Sequence, residues 1–258
     1  MPEAEDDLAL LVEAARIAGA VALRYWKQNP QVWDKGGDEG PVTEADLAVN
    51  AALAAHLRAA RPDYGWLSEE DADGPGRLAC RHVFVLDPID GTRAFIKGED
   101  SFSHSLAVVR DGVVTAGVVY LPALDRMFAA TLAGPATLNG APIEVSPRGE
   151  LDQARILTTS ANLKPDLWPG GVPRLSQHFR PSVAYRLALV AQGRFDGMLS
   201  FRQAWEWDIA AGSLIASRAG ARVSDRHGQT IRFNQPGART QGLIAANPAL
   251  HGALCARL

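Results

Sequence analysis

Cysteine is almost missing from this chain of 258 residues, and so is any strong imbalance of charge. The two cysteines, Cys80 and Cys255, are too few for a disulfide framework, and no paired His/Cys spacing would suit zinc. That scarcity fits a reducing, cytoplasmic setting. With a formal net charge of −3 and scattered arginines, the chain has no general field for a nucleic acid polymer, although local positive charge could still hold a small anion. No stretch approaches the roughly 20 consecutive apolar residues of a membrane span. The acidic start, Met1-Pro2-Glu3-Ala4-Glu5-Asp6-Asp7, lacks the basic region of an export signal. Gly-x-Ser-x-Gly and Walker-type lysine loops are absent as well. Gly74-Pro75-Gly76-Arg77-Leu78-Ala79 has the glycine spacing of a dinucleotide loop, but it precedes a predicted strand and contains Pro75, so it reads as a surface loop. His104 and His178 fall in no catalytic spacing and read as core or solvated histidines.

The pattern that is present is mixed α/β, in a chain long enough to bury a large core. Apolar residues at helical spacing predict a helix over residues 8–26, followed by a Gly-rich link over 35–41. Thr43 stands three residues before Asp46 and opens a second helix that Pro62 closes. Residues 83–86 form a buried strand that delivers Asp87. Residues 105–109 and 113–120 form a hairpin about Asp111-Gly112. Further strands are predicted over 126–130, 143–146, 156–159 and 196–200, with helices over 183–192 and 208–218. A lobe boundary near 147–149 divides the chain into 1–147 and 148–258. The order favours layered helices and mixed sheets.

Asp87-Pro88-Ile89-Asp90-Gly91-Thr92 places two carboxylates three residues apart in a tight turn. Glu69, Glu70 and Asp71 lie upstream, and Trp205-Glu206-Trp207-Asp208 lies downstream. Singly, Asp90 is a turn residue, Asp208 a helix cap and Glu69 part of a solvated loop. Together they call for a cation. Two carboxylates about 4 Å apart repel by roughly 4 kcal/mol at an effective dielectric near 20, and a divalent ion reverses the sign. Oxygen donors, the Ile89 carbonyl among them, suit magnesium. Gly91-Thr92 precedes a short helix whose free N–H groups would face a phosphate.

These residues resemble the inositol monophosphatase superfamily in three ordered motifs: Leu67-Ser68-Glu69-Glu70, Asp87 to Thr92, and Trp207-Asp208-Ile209-Ala210-Ala211-Gly212. The resemblance implies a layered α/β/α/β/α sandwich and a magnesium-dependent phosphatase with two or three ions and sensitivity to lithium. It implies metal ligation by Glu69, Asp87, Asp90, Asp208 and the Ile89 carbonyl, and a water oriented by Glu69 and Thr92, with Asp46 holding the Thr92 hydroxyl. Gly91, Thr92, Arg186, Glu206 and Asp208 would contact a small phosphorylated metabolite. A homodimer is compatible with the resemblance. Ser182-Val183 departs from the family's usual Gly-Ser or Gly-Thr turn, and the loop at Gly134 is short.

Glu206-Trp207-Asp208 and the position of Arg186 are similar to the 3′(2′),5′-bisphosphate nucleotidase branch, which converts adenosine 3′,5′-bisphosphate to AMP. The alternatives on the same chemistry are an inositol 1-monophosphatase and a histidinol phosphatase, since Asp90 to Phe95 also resembles the latter. A non-catalytic phosphate-binding regulator is a more distant alternative.

Overall fold

The strand His82–Asp90 is apolar on both faces: Val83 and Val85 pack into one hydrophobic cluster, Phe84 and Leu86 into another. A strand buried on both sides must lie between two covering layers, and helices supply them. The computed structural model describes residues 2–36 and 40–258; Met1 of the acidic start and residues 37–39 of the expected link lie outside these. The helices are α1 (Pro2–Tyr25), α2 (Glu44–Ala60), α3 (Thr92–Ile96), α4 (Val183–Ala191), α5 (Glu206–Arg218) and α6 (Pro248–Cys255). No helix among the described residues is long and apolar enough to cross a membrane.

A seven-stranded sheet runs in sequence order from Gly65–Ser68 to Ala141–Pro142. Its first pair is parallel and the rest are antiparallel. Leu11, Ala15, Leu53 and Leu57 of α1 and α2 cover one face; Leu187, Ala188, Ile209 and Ala210 of α4 and α5 cover the other. A five-stranded sheet lies beyond α4 and α5, sending Met198 and Ala245 toward them and Leu199 and Ile244 toward α6. The layering is therefore α/β/α/β/α.

Small residues make the central layer thin. A methyl group on Gly212 would come within 2.7 Å of Leu187, and one on Gly117 within 3.0 Å of the Ala211 backbone. The Ala-Ala-Gly part of the third motif thus lets α5 approach both α4 and the large sheet.

Thr43 caps α2 in a complete capping box with Asp46, as its spacing predicts. Asp111 and Gly112 both take positive φ, 51° and 79°, in the hairpin turn that joins Ser103–Arg110 to Val113–Leu121. Three expectations need correction. α1 begins at Pro2, before residue 8, because Glu3 and Glu5 suit a first helical turn. Residues 143–146 form no strand: Ile143 and Val145 donate single bonds, to Ala136 and Ala219, instead of joining a ladder. Asp208 lies inside the first turn of α5, whose cap is Trp205.

Candidate metal and phosphate site

Glu69 and Asp87 meet because their strands run side by side in parallel, with Ser68 in register with Leu86, so the next residues of both leave the same sheet edge. The Glu69 N–H donates to the Leu86 carbonyl at 3.2 Å. On the other flank, Asp87 is in register with Ser105, whose hydroxyl donates to the Trp207 carbonyl at 2.8 Å. That bond pins the start of α5 and brings in Asp208. Carboxylate oxygens of Glu69, Asp87 and Asp208 all lie within 4.8 Å of one another.

Asp90 reaches the cluster after an irregularity in the strand pairing between Asp87 and Asp90. Its Oδ2 accepts from the Ser182 hydroxyl at 2.7 Å and the Ala184 N–H at 2.6 Å, so it is held by the N-terminus of α4. Gly91 follows with φ 97°, a conformation that side chains other than glycine's rarely adopt. The Thr92 hydroxyl lies 3.2 Å from the Ile89 carbonyl and 3.4 Å from Asp46 Oδ1. Asp46 therefore serves the capping box and reaches Thr92 as well.

Burial raises the Asp87 and Asp208 carboxyls well above the usual range, and their carboxylate neighbours add to the effect. Burial also lifts Asp90, to about 6, against the opposing bonds from α4, and lifts Asp46 to about 6. Lys35 inserts its ammonium 3.0 Å from Glu69 and 2.7 Å from Glu70. Burial alone would lower its pKa, but the carboxylates outweigh this and hold it above its ordinary value. Burial raises Glu70 to about 7.

The donor set fits magnesium. Every donor is a hard oxygen, and Asp87 Oδ1 is buried without a hydrogen-bond partner among the described residues.

The carboxylates open into a cavity of about 1550 Å³, which Ile89, Gly91 and Thr92 also line. Two residues expected at the substrate make hydrogen bonds within the protein. The Arg186 guanidinium donates to the Arg180 carbonyl at 2.5 Å and the Pro181 carbonyl at 3.3 Å, and lies over the Phe179 ring. Glu206, fully buried, accepts from the Asn234 and Gln235 N–H groups at 2.6 and 2.9 Å. Neither lines the cavity, whose basic residues include Arg180, Arg202 and Arg239.

Lys35 had no role in the sequence reading, Ser182 figured there only as a departure from the family's turn, and His104, read as core or solvated, is a core residue. The ring of His104, buried beneath the motif, lies 2.5 Å from the Pro88 carbonyl through Nδ1, and burial lowers its pKa to about 4. No local spacing marks it, since its partner is 16 residues away.

Residues 3–258 match the inositol monophosphatase family. The chain belongs to that family. An inositol-1-monophosphatase of Mesorhizobium japonicum is 35% identical over 244 residues, 86% of each chain. The 3′(2′),5′-bisphosphate nucleotidase CysQ of Salmonella typhimurium is 30% identical over 230 residues, 88% of this chain and 93% of its own. Among solved structures, the extragenic suppressor protein suhB of Bartonella henselae superposes with a TM-score of 0.83 at 30% identity, covering 98% of both chains. Family and relatives are phosphatases, and this member is a hydrolase of phosphate monoesters.

Proposed function

We propose that this inositol monophosphatase family member is a magnesium-dependent phosphomonoesterase that converts adenosine 3′,5′-bisphosphate to AMP. The metal chemistry rests on the oxygen trio of Glu69, Asp87 and Asp208. The choice of substrate rests on one observation: the carboxylates share their cavity with Arg202 and Arg239. Among the described residues neither arginine has a carboxylate within ion-pair distance. A substrate with a second phosphate has a use for them; inositol 1-phosphate does not.

Hydrolysis forms a P–O bond from water and breaks the ester P–O bond, and the leaving oxygen takes up a proton. Magnesium, when bound by Glu69, Asp87, Asp90 and Asp208, supplies charge stabilisation and a more acidic water. The Thr92 hydroxyl, its proton directed to Asp46 or the Ile89 carbonyl, keeps a lone pair for the attacking water. Glu69 would accept a proton from that water. Lys35 neutralises part of the cluster, and the N-terminus of α4 holds Asp90 in place.

The identity with inositol monophosphatases keeps inositol 1-phosphate as a second reading. Magnesium-dependent phosphate release from adenosine 3′,5′-bisphosphate, inositol 1-phosphate and histidinol phosphate decides among them. A kcat/KM for inositol 1-phosphate above that for the bisphosphate would overturn the nucleotidase reading.

A further inference from the structure

The short strands Ala204–Trp205 and Arg239–Thr240 pair antiparallel, with Trp205 directly opposite Arg239. The guanidinium carbon of Arg239 sits 3.6 Å from the centre of the Trp205 ring. Trp205 stacks on Trp207, with centroids 4.4 Å apart and planes 14° from parallel. Arg239, Trp205 and Trp207 therefore form a three-layer stack, and all three line the cavity that holds Asp208. Trp205 is the cap of α5, and Asp208 lies in that helix's first turn.

We propose that Arg239, held over the Trp205 ring, is a specificity-determining residue that holds the second, non-reacting phosphate of the substrate. This rests on the nucleotidase reading above. A guanidinium carries five N–H donors, and one Arg239 nitrogen lies 3.3 Å from Gln203 Oε1, which leaves the other donors for a phosphate. Cation–π contact with Trp205 holds the guanidinium in place in advance, so less freedom is lost when the anion arrives.

The backbone leading to Arg239 is built to the same end. Glu206 clamps the N–H groups of Asn234 and Gln235, and its own N–H donates to the Ala238 carbonyl at 2.9 Å. Ala238, just before Arg239, has φ 48°, a left-handed conformation uncommon for alanine. Arg186, the position singled out in the sequence, already spends Nε and one Nη2 donor on the Arg180 and Pro181 carbonyls and does not line the cavity.

The test is a set of matched pairs, assayed with saturating magnesium: adenosine 3′,5′-bisphosphate against 3′-AMP, and a hexose bisphosphate against its monophosphate. Arg239→Gln should raise KM for adenosine 3′,5′-bisphosphate by about 10–100-fold, with kcat within a few-fold and 3′-AMP unaffected. Arg239→Lys should recover part of the loss, because it keeps charge but not the planar fork. Trp205→Leu should reproduce most of the loss by releasing the guanidinium. Equal effects on both members of a pair, or none on either, overturn the proposal. Wild-type preference for the adenosine bisphosphate that survives Arg239→Gln removes Arg239 alone and leaves the nucleotidase reading standing. Wild-type preference for the hexose bisphosphate, abolished by Arg239→Gln, removes the nucleotidase reading and keeps Arg239. No preference for any bisphosphate over its monophosphate removes both.

Discussion

The Ser182 hydroxyl and the Asp90 carboxylate, buried between two layers of the fold, meet at 2.7 Å. The same hydroxyl accepts from the Tyr185 N–H at 2.9 Å, and Ser103 Oγ lies 3.0 Å away. Ser182 is thus at once the cap of α4 and the anchor of a carboxylate from another element. Removing it should cost more than an ordinary cap. Ser182→Ala is expected to lose about 2–3 kcal/mol of stability, since a cap and a charged hydrogen bond go together. It should also raise the magnesium concentration needed for half-maximal rate. Denaturant unfolding with a magnesium titration measures both, and a stability loss under about 0.5 kcal/mol would contradict the double role.

Asp87 should show a conflict between stability and activity. It is buried among like charges, so the metal-free chain stores repulsion there. Asp87→Asn should lower kcat/KM by at least about 100-fold, yet raise the metal-free Tm by about 2–4 °C, the shift for about 1 kcal/mol in a chain of this size. Magnesium should raise the Tm of the wild type and leave that of the variant nearly unchanged. A metal-free variant that melts below the wild type would disprove the stored repulsion.

The pH dependence of metal-free stability has a sign that follows from burial. Glu70 is raised to about 7, and Asp87 and Asp208 are raised well above the usual carboxyl range. Each binds its proton more tightly folded than unfolded, so the stability this gives is present at low pH and lost as pH rises through the folded value. His104 and His251, lowered by burial from 6.5 to about 4, act in the opposite direction, but only below 6.5, where the unfolded chain protonates first. Between pH 6.5 and 8 the carboxylates alone decide. The metal-free Tm should fall across that window and flatten with saturating magnesium. Calorimetry at four pH values suffices, and a metal-free Tm that rises with pH would be incompatible with the cluster.

Ion choice follows from the donors. Activity should vanish in excess chelator and return with magnesium, whereas calcium, larger and looser in its coordination, should restore little. Turnover undiminished by chelator would exclude the metal chemistry.

The capping box of Thr43 and Asp46 and the run from Asp87 to Thr92 were legible because their partners are near in sequence. The glycines of two motifs were legible as pattern, but their physical reasons, the φ of Gly91 and the 2.7 Å approach to Leu187 at Gly212, needed the packed layers. Arg186 and Glu206 show the limit. The resemblance put both at the substrate, but which polar group each meets depends on contacts that a motif does not record. One is committed to carbonyls at the start of its own helix, the other to a loop 28 residues on. Lys35 escaped notice because its partners Glu69 and Glu70 are 34 and 35 residues away.

The ribbon formed by Ala204–Trp205 and Arg239–Thr240 is a separate two-stranded sheet, joined to neither of the large ones. With Arg239 in its proposed role, bond-breaking and choice of metabolite sit on different pieces of architecture. Mutational drift in the ribbon can retarget the enzyme while the carboxylate edge stays intact, so close relatives with identical ligand sets need not share a metabolic role.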